Sequence, residues 1–313
     1  MKNMKMNMTK SLSSLAIAYY LLTSAQTAHA ELSVLTTVSD LNALVQEIGG
    51  AEVKSESFCK GSQDPHFLEP KPSFMVKANR ADLVVAIGLG LEVGWLPSIL
   101  QGARNPKIQT GQAGYLEVGP AVSVLDVPSG KVTRAEGDVH PEGNPHVLLD
   151  PIRTGEISLV IAKRLGELDA PHAALFKSRA EALQKRLVEK SHDWEARIAK
   201  TGTSKIISFH KTLTYFFDRY KIQNPMILEP LPGVPPTAKH TLDVIERAKA
   251  DKITLVMVEN FFDPQVAVRV SKDVPQLRVE VVAVSVGGSD KVKTIDDLYE
   301  NLVLAIEGKA KNG

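Results

Sequence analysis

Three histidines in the chain stand where the backbone would hold a metal ligand in place. His66 lies in QDPHFLEP and His146 lies in GNPHVLLDP, so each directly follows a proline, whereas His210 ends the apolar segment SKIISF. A proline restricts the backbone that leads into the next side chain, and a metal site benefits because its ligands must be in position before the ion arrives. Neutral imidazole is the commonest metal ligand, and three of them suit Zn²⁺. A zinc site is therefore our first hypothesis, against the alternative that each histidine is an ordinary loop or core residue.

The segments between these histidines alternate between predicted strands and predicted helices. Apolar runs such as DLVVAIG, SKIISF and ITLVMVE are typical of buried parallel strands, NPMILEP predicts a further strand, and TAKHTLDVIERAKADK is typical of a helix. From Leu116 to Pro145 many turn residues predict a loop. The charged segment AALFKSRAEALQKRLVEKSHDWEARIAK has apolar residues at helical spacing, which predicts one helix about 40 Å long.

The predicted architecture is α/β, with two βα lobes that contain parallel-type sheets and are joined by one long connecting helix. The predicted boundaries are residues 31–172 for the N-terminal lobe, 173–200 for the connecting helix and 201–313 for the C-terminal lobe. Ligands of such sheets bind outside the carboxyl ends of the strands. The natural place for a metal site is therefore the cleft between the two lobes.

Residues 1–30 have the three-part pattern of a secretory signal peptide. MKNMKMNMTK carries three lysines and no acidic residue, the apolar run LAIAYYLL follows, and Ala28-His29-Ala30 forms an A-x-A cleavage motif. We predict cleavage after Ala30 and export to a bacterial periplasm. The apolar run is far shorter than the roughly 20 residues that a membrane span needs, so we expect no stable membrane insertion.

The composition excludes one class of partner. Cleavage would remove three lysines and no acid from a chain with 37 basic and 36 acidic residues, which leaves a slightly acidic protein without a clustered basic excess. Binding to nucleic acid requires such an excess, so we do not expect it. The single cysteine, Cys59, cannot form an internal disulfide and is predicted to be a small buried apolar residue.

The motifs around the histidines resemble those of the solute-binding proteins of zinc and manganese ABC transporters, the ZnuA/TroA-like family. QDPHFLEPKPS is similar to the first-ligand motif of that family, GNPHVLLDP to the second and SFHKTLTYFFDRYKI to the third. GLGLEVGWLPSIL and LEPLPGVPPTAKH match two further family segments, so the resemblance covers essentially the whole mature chain. It implies that His66, His146 and His210 are metal ligands. A histidine at the third position is similar to the zinc members, which favours Zn²⁺ over Mn²⁺ or Fe²⁺.

The sequence departs from the family at the fourth ligand, which is usually an aspartate after the last strand. Here that turn is VAVSVGGSD, and Ser285 stands at the aspartate position; a neutral hydroxyl is a poor zinc ligand. Glu259, at the end of ITLVMVE, is our leading candidate, either as the fourth ligand or as a carboxylate that orients a histidine. His140 in GDVHPEG, a water molecule and, as a weaker candidate, Asp290 are the alternatives.

Two carboxylates flank the first histidine. Asp64 precedes His66 by two residues and Glu69 follows it by three. Histidines that bind metal donate their other ring N–H to a carboxylate, a carbonyl or a water, which fixes the ring. We therefore predict that Asp64 and Glu69 orient His66.

The resemblance implies a monomeric periplasmic receptor that captures Zn²⁺ and delivers it to an ABC transporter permease and its ATPase subunit in the inner membrane. We therefore predict a binding protein and not an enzyme. The alternative is a secreted zinc-dependent hydrolase, because a catalytic zinc keeps one position open for water and the chain supplies only three firm ligands. The sequence contains neither HExxH nor a nucleophile elbow to support a hydrolase. A metal-binding adhesin is a third possibility, since some relatives of the family carry that description.

Overall fold

The computed structural model describes residues 31–130, 140–231 and 233–310. The predicted signal peptide, with its cleavage site after Ala30, lies outside the described residues. Within these three ranges no helix is both long enough and apolar enough to cross a membrane.

Four parallel strands form the N-terminal sheet, in the spatial order β2-β1-β3-β4. Its strands and helices are β1 (Leu32–Thr36), α1 (Ser39–Gly49), β2 (Val53–Ser57), α2 (Pro72–Arg80), β3 (Leu83–Ala86), α3 (Leu96–Ala103) and β4 (Tyr115–Glu117). Val34 of β1 is paired with Leu83 of β3, and Val84 of β3 is paired with Tyr115 of β4. All four residues of β3 are buried, as expected for a parallel strand that helices cover on both faces.

Two helices lie between the sheets in the sequence, α4 (Pro151–Leu168) and α5 (Ala173–Thr201). They pack closely because α4 has glycines where it meets α5: a Cβ on Gly155 would lie 2.9 Å from Cγ of Gln184, and one on Gly166 would lie 2.8 Å from Cβ of Ala173. The 29 residues of α5 confirm the prediction of one long helix.

The C-terminal sheet has three parallel strands in the order β5-β6-β7. Its strands and helices are β5 (Ile207–Ser208), α6 (Thr214–Arg219), α7 (Ala238–Ala250), β6 (Leu255–Glu259), α8 (Gln265–Asp273), β7 (Arg278–Val282) and α9 (Ile295–Glu307). The strand predicted for NPMILEP is wrong: there a single isolated bridge pairs Ile227 with Ser208. Pro225 and Pro230 lack the N–H that a ladder needs, which limits regular pairing of this segment.

The buried face of α5 connects the two sheets. Phe176, Leu187 and Trp194 belong to one apolar cluster that also contains β1 and β6 residues such as Val34 and Met257. Contacts from Leu32 onward form one compact unit, so the lobe boundaries at residues 172 and 201 stay a prediction. The two-sheet α/β architecture with a long helix is confirmed.

Candidate metal centre

The structure brings His66, His146 and His210 together. One ligand atom from each lies within 4.8 Å of the others, and they form the only such group of three or more His, Cys, Asp or Glu residues in the described ranges. The ring centroids are 5.4 Å apart for His66 and His146, 5.7 Å for His66 and His210, and 5.6 Å for His146 and His210. The three rings therefore surround one point at nearly equal separations.

Each of these histidines lies in a different part of the fold. His66 lies in the loop after β2, where the indole N–H of Trp95 donates to the carbonyl of Pro65 at 2.9 Å. His146 precedes the short turn Val147–Leu149 that leads into α4, and His210 lies just beyond the carboxyl end of β5. The site is thus built where ligands of parallel sheets bind, beyond the ends of the strands.

In all three rings Nδ1 makes a hydrogen bond to a side-chain oxygen. The partners are Oδ1 of Asp64 at 2.7 Å for His66, Oδ1 of Asn144 at 2.7 Å for His146, and Oε2 of Glu229 at 2.5 Å for His210. A histidine whose Nδ1–H is donated in this way presents the lone pair of Nε2. The arrangement therefore directs three nitrogen lone pairs towards the space between the rings.

The surroundings keep at least one of these rings neutral. Burial, reinforced by the nearby His66 and His210, holds the pKa of His146 well below 6.5. Burial opposes ionisation of Asp64, but its hydrogen bond with His66 lowers its pKa below 3.8. A neutral imidazole at His146 and an ionised carboxylate at Asp64, behind His66, are the forms that favour a bound cation.

Of the two carboxylates predicted to orient His66, only Asp64 contacts it. Asp64 contacts His66 as expected, whereas Glu69 is exposed and makes no hydrogen bond or ion pair with any residue that the structure describes. The carboxylate that the sequence analysis missed is Glu229, which is buried and contacts His210 from 19 positions away in the chain. Glu229 is the glutamate of LEPLPGVPPTAKH. The match of this segment to the family could have identified Glu229 as a candidate, but it was not assigned a role.

A fourth histidine, His140, lies against His66. The two Nε2 atoms are 3.2 Å apart and the ring centroids 5.2 Å apart. Nδ1 of His140 faces Gly90, since a Cβ there would lie 3.4 Å from it. Burial lowers the pKa of His140 to about 4, so this ring is neutral at pH 7.

Glu259 occupies a different place from the four rings. It is fully buried at the end of β6, and its Oε1 accepts from the backbone N–H of His210 at 3.3 Å. Burial raises its pKa to about 8. Glu259 thus contacts the backbone of a candidate ligand; like His140, it lies outside the group of three converging ligand atoms, and Asp290 is exposed.

A buried carboxylate fixes the segment that follows His146. Oδ1 of Asp150 caps the N-terminus of α4 by accepting from the N–H of Ile152 at 2.9 Å. Arg219, the last residue of α6, donates to both oxygens of Asp150 at 2.8 and 2.7 Å, and Arg153 donates to it as well. Paired hydrogen bonds of this kind are strong and geometrically specific, so the start of α4 is held against α6.

Residues 34–307 match the protein family described as zinc-uptake complex component A, periplasmic. The match spans most of the chain, including all four histidines. The chain belongs to this family.

Curated relatives of this zinc-uptake family member have names that refer to other metals. The manganese ABC transporter substrate-binding lipoprotein PsaA of Streptococcus pneumoniae is 25% identical over 257 residues, which are 80% of this chain and 79% of the relative. The iron-binding protein YfeA of Yersinia pestis is 24% identical over 256 residues, which are 78% of this chain and 74% of the relative.

Solved structures share the fold. A crystal structure of ZnuA covers 88% of this chain and 99% of its own, with a TM-score of 0.71 and 23% identity. The laminin-binding protein Lmb of Streptococcus agalactiae, described as a bifunctional protein with adhesin and metal transporting activity, has a TM-score of 0.72 and 19% identity. It matches over 88% of this chain and 99% of its own. The predicted family and its two-lobe architecture are therefore confirmed.

Replacing Glu229 with glutamine should weaken metal binding. Glu229 accepts from Nδ1 of His210 and, through its other oxygen, from the N–H of Gly233 at 2.9 Å. Glutamine has one oxygen for these two donors and removes a negative charge, so we expect roughly a 10- to 100-fold loss of Zn²⁺ affinity in a chelator competition assay. Glu280→Gln, a buried carboxylate in β7, is the matched control. Equal affinities of the two variants would contradict the role given to Glu229.

Proposed function

We propose that this protein is a periplasmic solute-binding protein that captures Zn²⁺ and delivers it to an ABC transporter permease. The observation that carries the proposal is the convergence of imidazole nitrogens with every Nδ1 of the triad already hydrogen-bonded. Zinc binds histidine nitrogen at about 2.0–2.1 Å, so two ligands of a tetrahedral zinc ion lie about 3.3–3.4 Å apart. The 3.2 Å between Nε2 of His66 and Nε2 of His140 fits one edge of that tetrahedron.

The donor set supports zinc over manganese and iron as the cargo. His66, His146 and His210 offer nitrogen only, whereas Mn²⁺ prefers carboxylate, carbonyl and water oxygen. Sites of this type also bind Mn²⁺ and Fe²⁺ more weakly than Zn²⁺ in the usual order of stability. The manganese and iron names of the relatives therefore do not carry over to this chain.

We propose His140 as the fourth ligand in preference to Glu259 or water. His140 places a neutral imidazole against Nε2 of His66, and it comes from the segment just before His146. Glu259 contacts the backbone N–H of His210 instead. A fourth imidazole would do what the aspartate replaced by Ser285 does in other members of the family.

The proposed route follows from the family and the N-terminal sequence. The signal peptide over residues 1–30 would direct export, cleavage after Ala30 would release the monomer into the periplasm, and the lobes 31–172 and 201–313 would face the permease. The permease and its ATPase subunit are the proposed partners, because relatives in this family are named as ABC transporter components.

The two other candidate functions make different demands on the same site. A zinc hydrolase needs an open coordination position for water, and four imidazoles would fill a tetrahedral ion completely. An adhesin, the second activity described for Lmb, would bind its target whether or not the metal is removed. Hydrolysis of ester or peptide substrates that is lost in His210→Ala would favour the enzyme, and target binding indifferent to a chelator would favour the adhesin.

The three converging histidines should each be necessary for tight binding. We expect His66→Ala, His146→Ala and His210→Ala to lower Zn²⁺ affinity by more than about 100-fold, because losing a ligand costs more than losing a residue that orients one. Titration of the purified apo protein with Zn²⁺, Mn²⁺ and Fe²⁺ measures both affinity and preference. His192→Ala, a surface substitution on α5, is the control. Unchanged zinc binding in all three site variants would refute the proposed function.

The fourth ligand should be distinguished by a pair of substitutions. We expect His140→Ala to weaken Zn²⁺ binding by tenfold or more and Glu259→Gln to change it much less. Nε2 of His140 lies 3.2 Å from Nε2 of His66, whereas Glu259 contacts the backbone N–H of His210. X-ray absorption of the zinc complex should show four nitrogen neighbours in the parent and a replaced neighbour in His140→Ala. The reverse order of affinities would identify Glu259 as the ligand.

Zinc binding should be less sensitive to acid than four ordinary histidines would make it. The pKa of His140 is lowered to about 4, so that ring stays neutral as the pH falls from 7 to 5, and burial holds the pKa of His146 well below 6.5. Protons then compete with zinc at fewer than four ligands in this interval. Calorimetry at pH 5 in buffers of different ionisation enthalpy should detect the release of fewer than four protons per ion. A release of four would contradict the lowered pKa values.

A further inference from the structure

Asn144 connects two of the ligand-bearing segments through a single side chain. We infer that Asn144 is a positioning residue that fixes the separation of His146 from His210 before the ion binds, and thereby sets the preference of the site for a small tetrahedral ion. This inference rests on the proposed function. It concerns which divalent ion the site selects.

On one side, Asn144 holds His146. Its Oδ1 accepts from the backbone N–H of His146 at 3.0 Å and from Nδ1 of the same ring at 2.7 Å. Two hydrogen bonds to one oxygen fix both the backbone and the ring plane of the ligand. The side chain is 5% exposed, so water does not compete freely for these bonds.

On the other side, Asn144 holds the segment that carries His210. Its Nδ2 donates to the carbonyl of Lys211, the residue that directly follows His210, at 3.0 Å. The hydroxyl of Tyr215 in α6 donates to the backbone carbonyl of Asn144 at 2.6 Å. The positions of His146 and His210 are therefore linked by groups of one residue.

The chemistry of this position requires an amide. One end of the side chain must accept from an imidazole, while the other end must donate to a carbonyl and to Oδ2 of Asp126 at 3.3 Å. A carboxylate could accept from His146 but would place an oxygen against the carbonyl of Lys211 and a like charge against Asp126. Asparagine satisfies both ends at the same length.

The other two orienting residues do not make such a link. Among the described residues, the side chain of Asp64 bonds only to His66, two positions away. Glu229 bonds to His210 and to the N–H of Gly233, both within the C-terminal sheet region. Asn144 is therefore the orienting side chain that controls a distance between two ligands as well as the direction of one.

A fixed ligand pair discriminates between ions of different geometry. A tetrahedral zinc site closes with four ligands at one spacing, whereas ions such as Mn²⁺ take six ligands, preferentially oxygen. If His146 and His210 can move apart, water can enter the coordination sphere, and the affinity for Zn²⁺ decreases relative to that for Mn²⁺. Releasing the link should therefore reduce the ratio of Zn²⁺ affinity to Mn²⁺ affinity.

The test uses the full mature chain with Asn144→Asp and Asn144→Ala. Asp keeps the acceptor for His146 but loses the donor to Lys211. Because its added charge changes the affinity for any divalent ion, the comparison uses the ratio of the Zn²⁺ and Mn²⁺ affinities. Asn105→Asp is the matched control. Asn105 is 6% exposed, donates to the carbonyls of Ala78 and Ala81, and accepts from the N–H of Lys107 in the N-terminal sheet region.

Three measurements are compared: Zn²⁺ and Mn²⁺ affinities by chelator competition, the visible absorption spectrum of bound Co²⁺, and the thermal midpoint of the apo protein. We expect Asn144→Ala to lose roughly 10- to 100-fold in Zn²⁺ affinity, and Asn144→Asp to lower the Zn²⁺/Mn²⁺ ratio about tenfold and alter the cobalt spectrum. Asn105→Asp should lower only the thermal midpoint. Tyr215→Phe, which frees the carbonyl of Asn144, should lower the ratio in the same direction and decides the question if Asn144→Asp does not fold.

The inference is overturned if the Zn²⁺/Mn²⁺ affinity ratio and the cobalt spectrum of Asn144→Asp match those of the parent, or if Asn105→Asp changes them equally. If Asn144→Asp does not fold, an unchanged affinity ratio in Tyr215→Phe overturns it. Failure of the proposed function has a different result, because the parent protein itself would then bind no zinc at the histidine site.

Discussion

The hydrogen bonds to Nδ1 of the three converging histidines are the constraint on which the rest of the site depends. A neutral imidazole has one N–H and one lone pair, so the partner of Nδ1 decides where the lone pair points. The Nδ1 atoms of His66, His146 and His210 bond to Asp64, Asn144 and Glu229, respectively. These three bonds orient the Nε2 lone pairs. The protein thus directs several lone pairs at one another, an arrangement that a cation between them stabilises.

The fold holds these bonds in place from several directions. Close packing of α4 on α5 and the buried Asp150 fix the segment of His146, while β5 and β6 support that of His210. The two sheet regions also meet directly: the N–H of Val286 donates to Asp40 at 2.7 Å, and Asn260 donates to the carbonyl of Gly61 at 3.1 Å. Such contacts favour small, local movements of the site over a wide separation of the lobes.

Local sequence patterns predicted the regular parts of the fold and failed where pairing depends on a distant partner. The apolar runs around Val84 and Val256 became buried parallel strands, and the periodic segment around Leu187 became α5. Two of the three residues of strand β4, Leu116 and Glu117, lie where a loop was predicted, because they become ordered by pairing with β3. NPMILEP has strand-like residues but only an isolated bridge, since its prolines leave little backbone to pair.

Local motifs were enough to predict the family and three candidate ligand histidines, because rigid Pro-His turns and a strand-end histidine are local features. Only the tertiary structure showed that Nε2 of His140 lies 3.2 Å from Nε2 of His66 across 74 positions, and that Glu229 rather than Glu69 contacts one of the candidate ligand histidines. The bridging role of Asn144 was equally hidden. Coordination and orientation depend on distances of a few ångströms between remote segments, and those distances are set by packing, which no local pattern records.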